Sequence, residues 1–104
     1  MNFKLNHIQH IGIPVTDLTG SEEFYNRLGF KNVMTATFNF NGAKGNVTMM
    51  KYDEMIIELY QMPAGELQEI GNRKNGHIDH VAFDVDDIDK AFTELKNLSF
   101  NIIE

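Results

Sequence analysis

Three residues in this chain have the types and spacing to act together: His10, Glu58 and His80. The two histidines hold equivalent places in an internal repeat. The stretch HIGIPVTDLTGSEEFYNRLGFKNV from His10 lies over HVAFDVDDIDKAFTELKNLSFNII from His80 at a constant offset of 70 residues, without gaps. His10 meets His80, Val15 meets Val85, Asp17 meets Asp87, Leu28 meets Leu98 and Phe30 meets Phe100. Conservative pairs fill the intervals: Ile11 with Val81, Leu18 with Ile88, Val33 with Ile103. Glu58 stands inside MIIELYQM, and a carboxylate in an apolar strand is costly unless it is paired, hydrogen-bonded or bound to a cation. Two imidazoles and a carboxylate on separate strands suit a divalent metal ion with open positions. A lone strand histidine is ordinarily a satisfied core or surface residue. It is the repeat equivalence that sets this pair apart.

The elements that must position these groups follow from periodicity. Ile8–Val15 alternates as a strand, with Ile11, Ile13 and Val15 on one face and Ile8, His10, Gly12 and Pro14 on the other. Pro14 cannot donate to a ladder, so this strand lies at a sheet edge or ends there. Asp17 or Thr19 caps a helix that carries Phe24, Tyr25 and Leu28 inward, and Gly29 closes it. Val33–Phe40, Val47–Tyr52 and Met55–Gln61 read as strands, joined by turn chemistry over Asn39–Gly45 and at Asp53-Glu54. In the last of them Ile57 and Leu59 share one face, while Glu58 shares the other with Ile56 and Tyr60. Residues 63–76 are polar and glycine-rich, with one helical turn around Glu66–Ile70. Ile78–Val85 repeats the first strand, placing His80 on the face opposite Val81, Phe83 and Val85. Ile88, Ala91, Phe92, Leu95 and Leu98 then define an amphipathic helix. Asn101–Glu104 begins a further strand. By the same parity His7 and His77 point away from His10 and His80. The methionines Met34, Met49, Met50, Met55 and Met62 read as core filler or as adaptable interface residues.

The composition excludes several classes. A length of 104 residues makes one small domain, and 42% apolar with 23% charged residues is globular. No apolar run approaches the roughly 18 residues of a membrane span. The net charge of −6 argues against a nucleic-acid partner, which needs a basic face. The absence of cysteine removes disulfides and thiolate ligands, and fits a reducing cytoplasm.

Three blocks, HIGIPVTDLTGSEEFYNRLGF, IIELYQ and GHIDHVAFDVDDIDKAF, resemble the vicinal oxygen chelate superfamily. Its members include glyoxalase I, fosfomycin-resistance proteins, methylmalonyl-CoA epimerase and extradiol dioxygenases. The resemblance implies an α+β fold in which paired βαβββ modules form a curved mixed sheet with helices on its outer face. It divides the chain into module one at 7–62, a linker at 63–76 and a partial module two at 77–104. It implies metal ligation by His10, Glu58 and His80, with nickel, zinc, cobalt or manganese as the ion and Glu58 also catalytic. The fourth ligand of the family would be the repeat-mate of Glu58, beyond Glu104. The second copy stops at the counterpart of Met34, so either the chain is a piece of a longer one or a partner chain completes its sheet. The implied activity is a lyase or isomerase reaction of the lactoylglutathione-lyase kind, on a small oxygenated substrate through a metal-stabilised enediolate. Pro14 stands where glyoxalase I usually has an arginine, and HIGIPV is closer to methylmalonyl-CoA epimerase. An epimerase-like isomerase is therefore one alternative, and a non-catalytic ligand-binding protein of the bleomycin-resistance kind is the other. The resemblance also implies a homodimer, in which His80 can come from the other subunit.

Overall fold

The computed structural model describes residues 2–73 and 79–103. Strand β1 (Ile8–Pro14) leads into helix α1 (Leu18–Arg27), followed by β2 (Lys31–Phe40), β3 (Ala43–Tyr52) and β4 (Met55–Gln61). A 3₁₀ turn at Ala64–Glu66 and the short helix α2 (Leu67–Gly71) occupy the polar stretch. Strand β5 (His80–Phe83) and helix α3 (Ile88–Asn97) complete the described elements. The five strands form one sheet in the order β2-β3-β4-β1-β5. β2 with β3 and β3 with β4 are antiparallel, whereas β1 and β4 run parallel. The sheet is therefore mixed and the fold α+β, as the repeat and the resemblance imply. Pro14 is tolerated because it is the last residue of an interior strand, not because that strand lies at an edge.

Backbone contacts divide the chain into two compact units, one of them Gln9–Ala82. In this unit the parallel register sets Ile11 beside Ile57, Gly12 beside Glu58 and Ile13 beside Leu59. Side chains alternate across a strand, so each register pair assigns a face. Ile57 and Leu59 join Met50 in a buried cluster against which Ile13, Val15, Leu18, Tyr25 and Phe30 pack. Leu59 and Met50 are fully buried, and enclosing each side chain stabilises the fold by about 1.5–3 kcal/mol. Met49, one residue along, is buried on the opposite face, opposite Glu58. Glu58 and Gly12 thus belong to the face turned away from that cluster.

The helix α1 starts where Asp17 accepts from the Gly20 amide at 3.1 Å. It stops where Gly29 takes φ 105° and the Phe30 amide donates back to the Tyr25 carbonyl at 3.0 Å. Tyr25 packs inward as expected, but Phe24 and Leu28 are more than half exposed. Both lie about 80–120° round the helix from the Leu18–Tyr25 line, at 100° per residue, so a helix resting on that line leaves them out.

The other unit takes in the residues up to Ile8 and those from Phe83 onward. Here the Asn6 amide donates to the Asp84 carbonyl at 2.8 Å, and the Asp84 amide returns a bond to the His7 carbonyl at 2.9 Å. The repeat is reproduced down to the helix caps. Asp87 accepts from the Lys90 amide at 3.0 Å, as Asp17 does from Gly20. Ser99 takes a positive φ of 67° where Gly29 does, and the Phe100 amide donates to Leu95 as Phe30 does to Tyr25. Of the apolar stripe of α3, Ala91 is buried, whereas Ile88, Phe92 and Leu98 are exposed. Residues 101–103 form no strand.

Candidate functional site

β1, β4 and β5 bring the three singled-out residues together within the Gln9–Ala82 unit. His10 Nε2 lies 3.2 Å from His80 Nε2. The Glu58 carboxylate faces both rings, with Oε1 3.3 Å from His80 Nε2 and Oε2 3.8 Å from His10 Nε2. One ligand atom from each residue falls within 4.8 Å of the others, a spread that a single divalent ion can bridge. The side chains retain between 16% and 38% of their exposure, so the cluster is partly dehydrated yet open to a small molecule. His7 is exposed and takes no part, and His77 lies outside the described residues.

Gly12 makes this convergence possible. A Cβ built on Gly12 would fall inside the His80 imidazole, which crosses β1 at that point on its way to Glu58. The Asp79 amide donates to the Gly12 carbonyl at 3.0 Å, pinning the entry to β5 beside the same residue. Periodicity placed Gly12 on the histidine face but gave no sign of this crossing.

The surroundings add groups that the motif reading did not single out. Phe38, Val47, Tyr60 and Asp79, with Glu58 and His80, line an open cavity of about 330 Å³. Phe38 pairs with Gly45 across the β2–β3 hairpin, and its ring occupies the space that a Cβ on Gly45 would need. The Tyr60 ring sits 6.4 Å from Phe38 and 6.1 Å from His80 by centroids. The signal for Tyr60 was present, since it lies two residues from Glu58 on the same strand face, and Val47 is its partner across the β3–β4 ladder. Asp79 escaped because the strand expected over Ile78–Val85 put it on the face opposite His80, whereas β5 begins only at His80.

Asp79 is the electrostatic hub of the cavity wall. Its Oδ2 is 3.3 Å from His80 Nδ1, and its Oδ1 is 3.6 Å from Arg73 Nη1. The neighbouring Tyr60 hydroxyl is the main reason the Asp79 carboxyl is held below the usual carboxylate range, with His80 and Arg73 adding to the effect. Burial, and then the neighbouring Asp79 carboxylate, push the Tyr60 phenol far above its ordinary value. Such a raised phenol adds stability that is complete below the ordinary phenol pKa and is lost as pH rises through the raised one. In an alkaline titration followed at 295 nm, one of the three tyrosines is expected to ionise late, and Tyr60→Phe is expected to delete that phase. The absence of any late-ionising phase would contradict the raised Tyr60 phenol.

A repeated strand–helix unit on a mixed sheet, with a His–Glu–His cluster on the face turned from its main helix, defines the class of protein. The sequence matches the Glyoxalase/Bleomycin resistance protein/Dioxygenase superfamily over residues 7–104, and the chain belongs to that superfamily. The fold is similar to that of methylmalonyl-CoA epimerase from Mycobacterium tuberculosis, at 20% identity and a TM-score of 0.76, over 100% of this chain and 71% of the other. It is also similar to a hypothetical protein from Bacillus halodurans C-125, at 24% identity and a TM-score of 0.68, over 100% of this chain and 74% of the other. No curated protein matches the sequence. Among the described residues no helix is long and apolar enough to cross a membrane.

Proposed function

We propose that His10, Glu58 and His80 hold a divalent metal ion, and that the protein is a glyoxalase-like lyase or isomerase of a small oxygenated molecule. The observation that carries this reading is the convergence of three donor atoms from three strands, with both imidazole Nε2 atoms turned toward one carboxylate. Two imidazole nitrogens and an anion crowded this closely suit a cation between them. The donor set suits nickel, zinc, cobalt or manganese, since imidazole and carboxylate serve all four.

Such an ion acts as a Lewis acid toward neighbouring oxygens of the substrate. The residues do the rest. Glu58 is the carboxylate at the centre and takes a proton from the carbon beside a carbonyl, then returns it to the same carbon or the next. Phe38, Val47 and Tyr60 keep water from one side of that carbon. Tyr60 offers a ring wall to the ligand. A return to the same carbon is epimerisation, and the likeness in fold to an epimerase supports this second reading. A non-catalytic binding protein is the third, supported by the apolar part of the cavity wall.

Metal analysis and titration separate these readings. The purified protein is expected to bind one equivalent of zinc, nickel, cobalt or manganese. His80→Ala is expected to weaken binding by about two orders of magnitude, and His7→Ala to leave it unchanged. Equal losses in both variants, or a wild-type protein that binds no metal yet takes up apolar ligands, would overturn the enzyme reading. The reading also includes two modules, 7–62 and 77–104, joined by 63–76, and a cytoplasmic location, which the cysteine-free composition supports. It further includes a homodimer, supported by the exposure of Ile88, Phe92, Leu98 and Phe100. Light scattering at micromolar concentration is expected to give twice the chain mass; a monomer would contradict it.

A further inference from the structure

We infer that the molecule taken up at this site carries a flat, uncharged apolar arm of about the size of a phenyl group, and that Phe38 sets the length of that arm. Register and parity place the relevant groups on one face of the sheet. Glu58 and Tyr60 lie two residues apart on β4, and Tyr60 pairs with Val47 of β3. Gly45, two residues before Val47, pairs with Phe38 of β2. The face that carries Glu58 therefore continues away from it as an apolar lane, from Tyr60 over Val47 to Phe38, and all three line the cavity of about 330 Å³. The rings of Phe38 and Tyr60 meet at 73°, with centroids 6.4 Å apart, and form a corner. A flat group lying on one of them turns its edge to the other, and offset-stacked and edge-to-face contacts are the ones aromatic rings prefer.

The lane is short. From β4 to β2 is two strand spacings, about 10 Å. β2 is an edge strand, so Phe38 is the last side chain along it. Its ring lies over the buried Gly45, in a seat that a Cβ there would fill. The charges select against an anionic arm. Among the described residues that line the cavity two are carboxylates, Glu58 and Asp79, and none is a lysine or an arginine. Arg73 is engaged by Asp79 at 3.6 Å and by Glu69 at 2.9 Å. A carboxylate or phosphate on the arm would give up water against apolar side chains with no cation in that wall to receive it. That the bound molecule is a substrate rests on the proposed function, whereas the lane itself is independent of any ion.

Metal-free protein with methyl-labelled valine, titrated with benzamide, tests the lane through the shifts of the Val47 methyl resonances. Benzamide is expected to bind roughly tenfold more tightly than acetamide, which has no ring to bury, and than its own para-carboxylated form. It is also expected to bind more tightly than its para-phenyl derivative, which is too long for the lane. Phe38→Ala is expected to reverse that last order, since the lane is then open at its end. Gly45→Ala, which unseats the Phe38 ring, is expected to weaken benzamide; Phe38 is only half-buried, so Phe38→Ala carries the test alone if Gly45→Ala fails to fold. Benzamide that leaves Val47 unmoved, equal binding of the carboxylated form, or an unchanged order in Phe38→Ala would overturn the inference. Zinc-loaded protein titrated with benzohydroxamate and acetohydroxamate separates the two readings. Zinc bound with no preference for the ring overturns the arm and leaves the metal reading standing. No zinc bound, with benzamide preferred as expected, overturns the metal reading and leaves the lane as the binding site.

Discussion

Replacing Gly12 with valine is expected to abolish stoichiometric zinc binding while the chain remains folded. The His80 ring passes through the space that any Cβ on Gly12 would fill, so the ring must leave it. His80 is partly exposed and has room to swing outward, which keeps the cost to folding small. The cost to the site is large. His80 Nε2 loses its place beside Glu58 and His10, and one of the three proposed ligand atoms goes with it. Calorimetric titration is expected to show at least the loss expected for His80→Ala, and alanine at position 12 is expected to act in the same direction. Wild-type affinity in the valine variant would mean that His80 reaches the ion by another path, or is not a ligand.

The second large effect concerns stability. Leu59→Ala is expected to cost about 2–5 kcal/mol, because it empties a fully buried position at the centre of the cluster formed with Met50 and Ile57. Leu59 also lies beside Ile13 in the parallel β1–β4 register, so the void opens at the seam between the strands carrying His10 and Glu58. Urea unfolding measures the loss directly. A loss below about 1 kcal/mol would mean that the cluster collapses around the gap and that β4 is less tightly held than its burial implies.

Much of the fold was legible because the chain states it twice and alternates cleanly. Strand parity separated Ile13 and Leu59 from Gly12 and Glu58, and the β1–β4 register bears that division out. The caps were legible as well, since Asp17 and Gly29 are residue types with few other uses at helix ends. The convergence of His10, Glu58 and His80 was expected from the repeat, and within one chain no partner is needed to bring them together. What escaped depends on tertiary approach. Nothing in a strand pattern says that the ring of His80 will lie across Gly12, or that the ring of Phe38 will lie across Gly45. Asp79 lies just before β5, so the alternation of the expected Ile78–Val85 strand turned it to the wrong face. The outward turn of Phe24 and Leu28 escaped too, because three apolar residues on a helix do not say which line rests on the sheet.

The parallel pairing of β1 with β4 has a thermodynamic consequence. The β2–β3 and β3–β4 ladders join neighbours in sequence, whereas β1–β4 closes a long loop and β5 reaches β1 from farther still. His10, Glu58 and His80 are each on a different one of these three strands. A ligand that needs all of them therefore recognises only the chain in which both remote closures are made. Its binding free energy is then added to those closures and not to the hairpins, by about 2.7 kcal/mol when the free ligand is a hundredfold above its dissociation constant. The strands with the greatest loop entropy to overcome are the ones that site occupancy would hold in place.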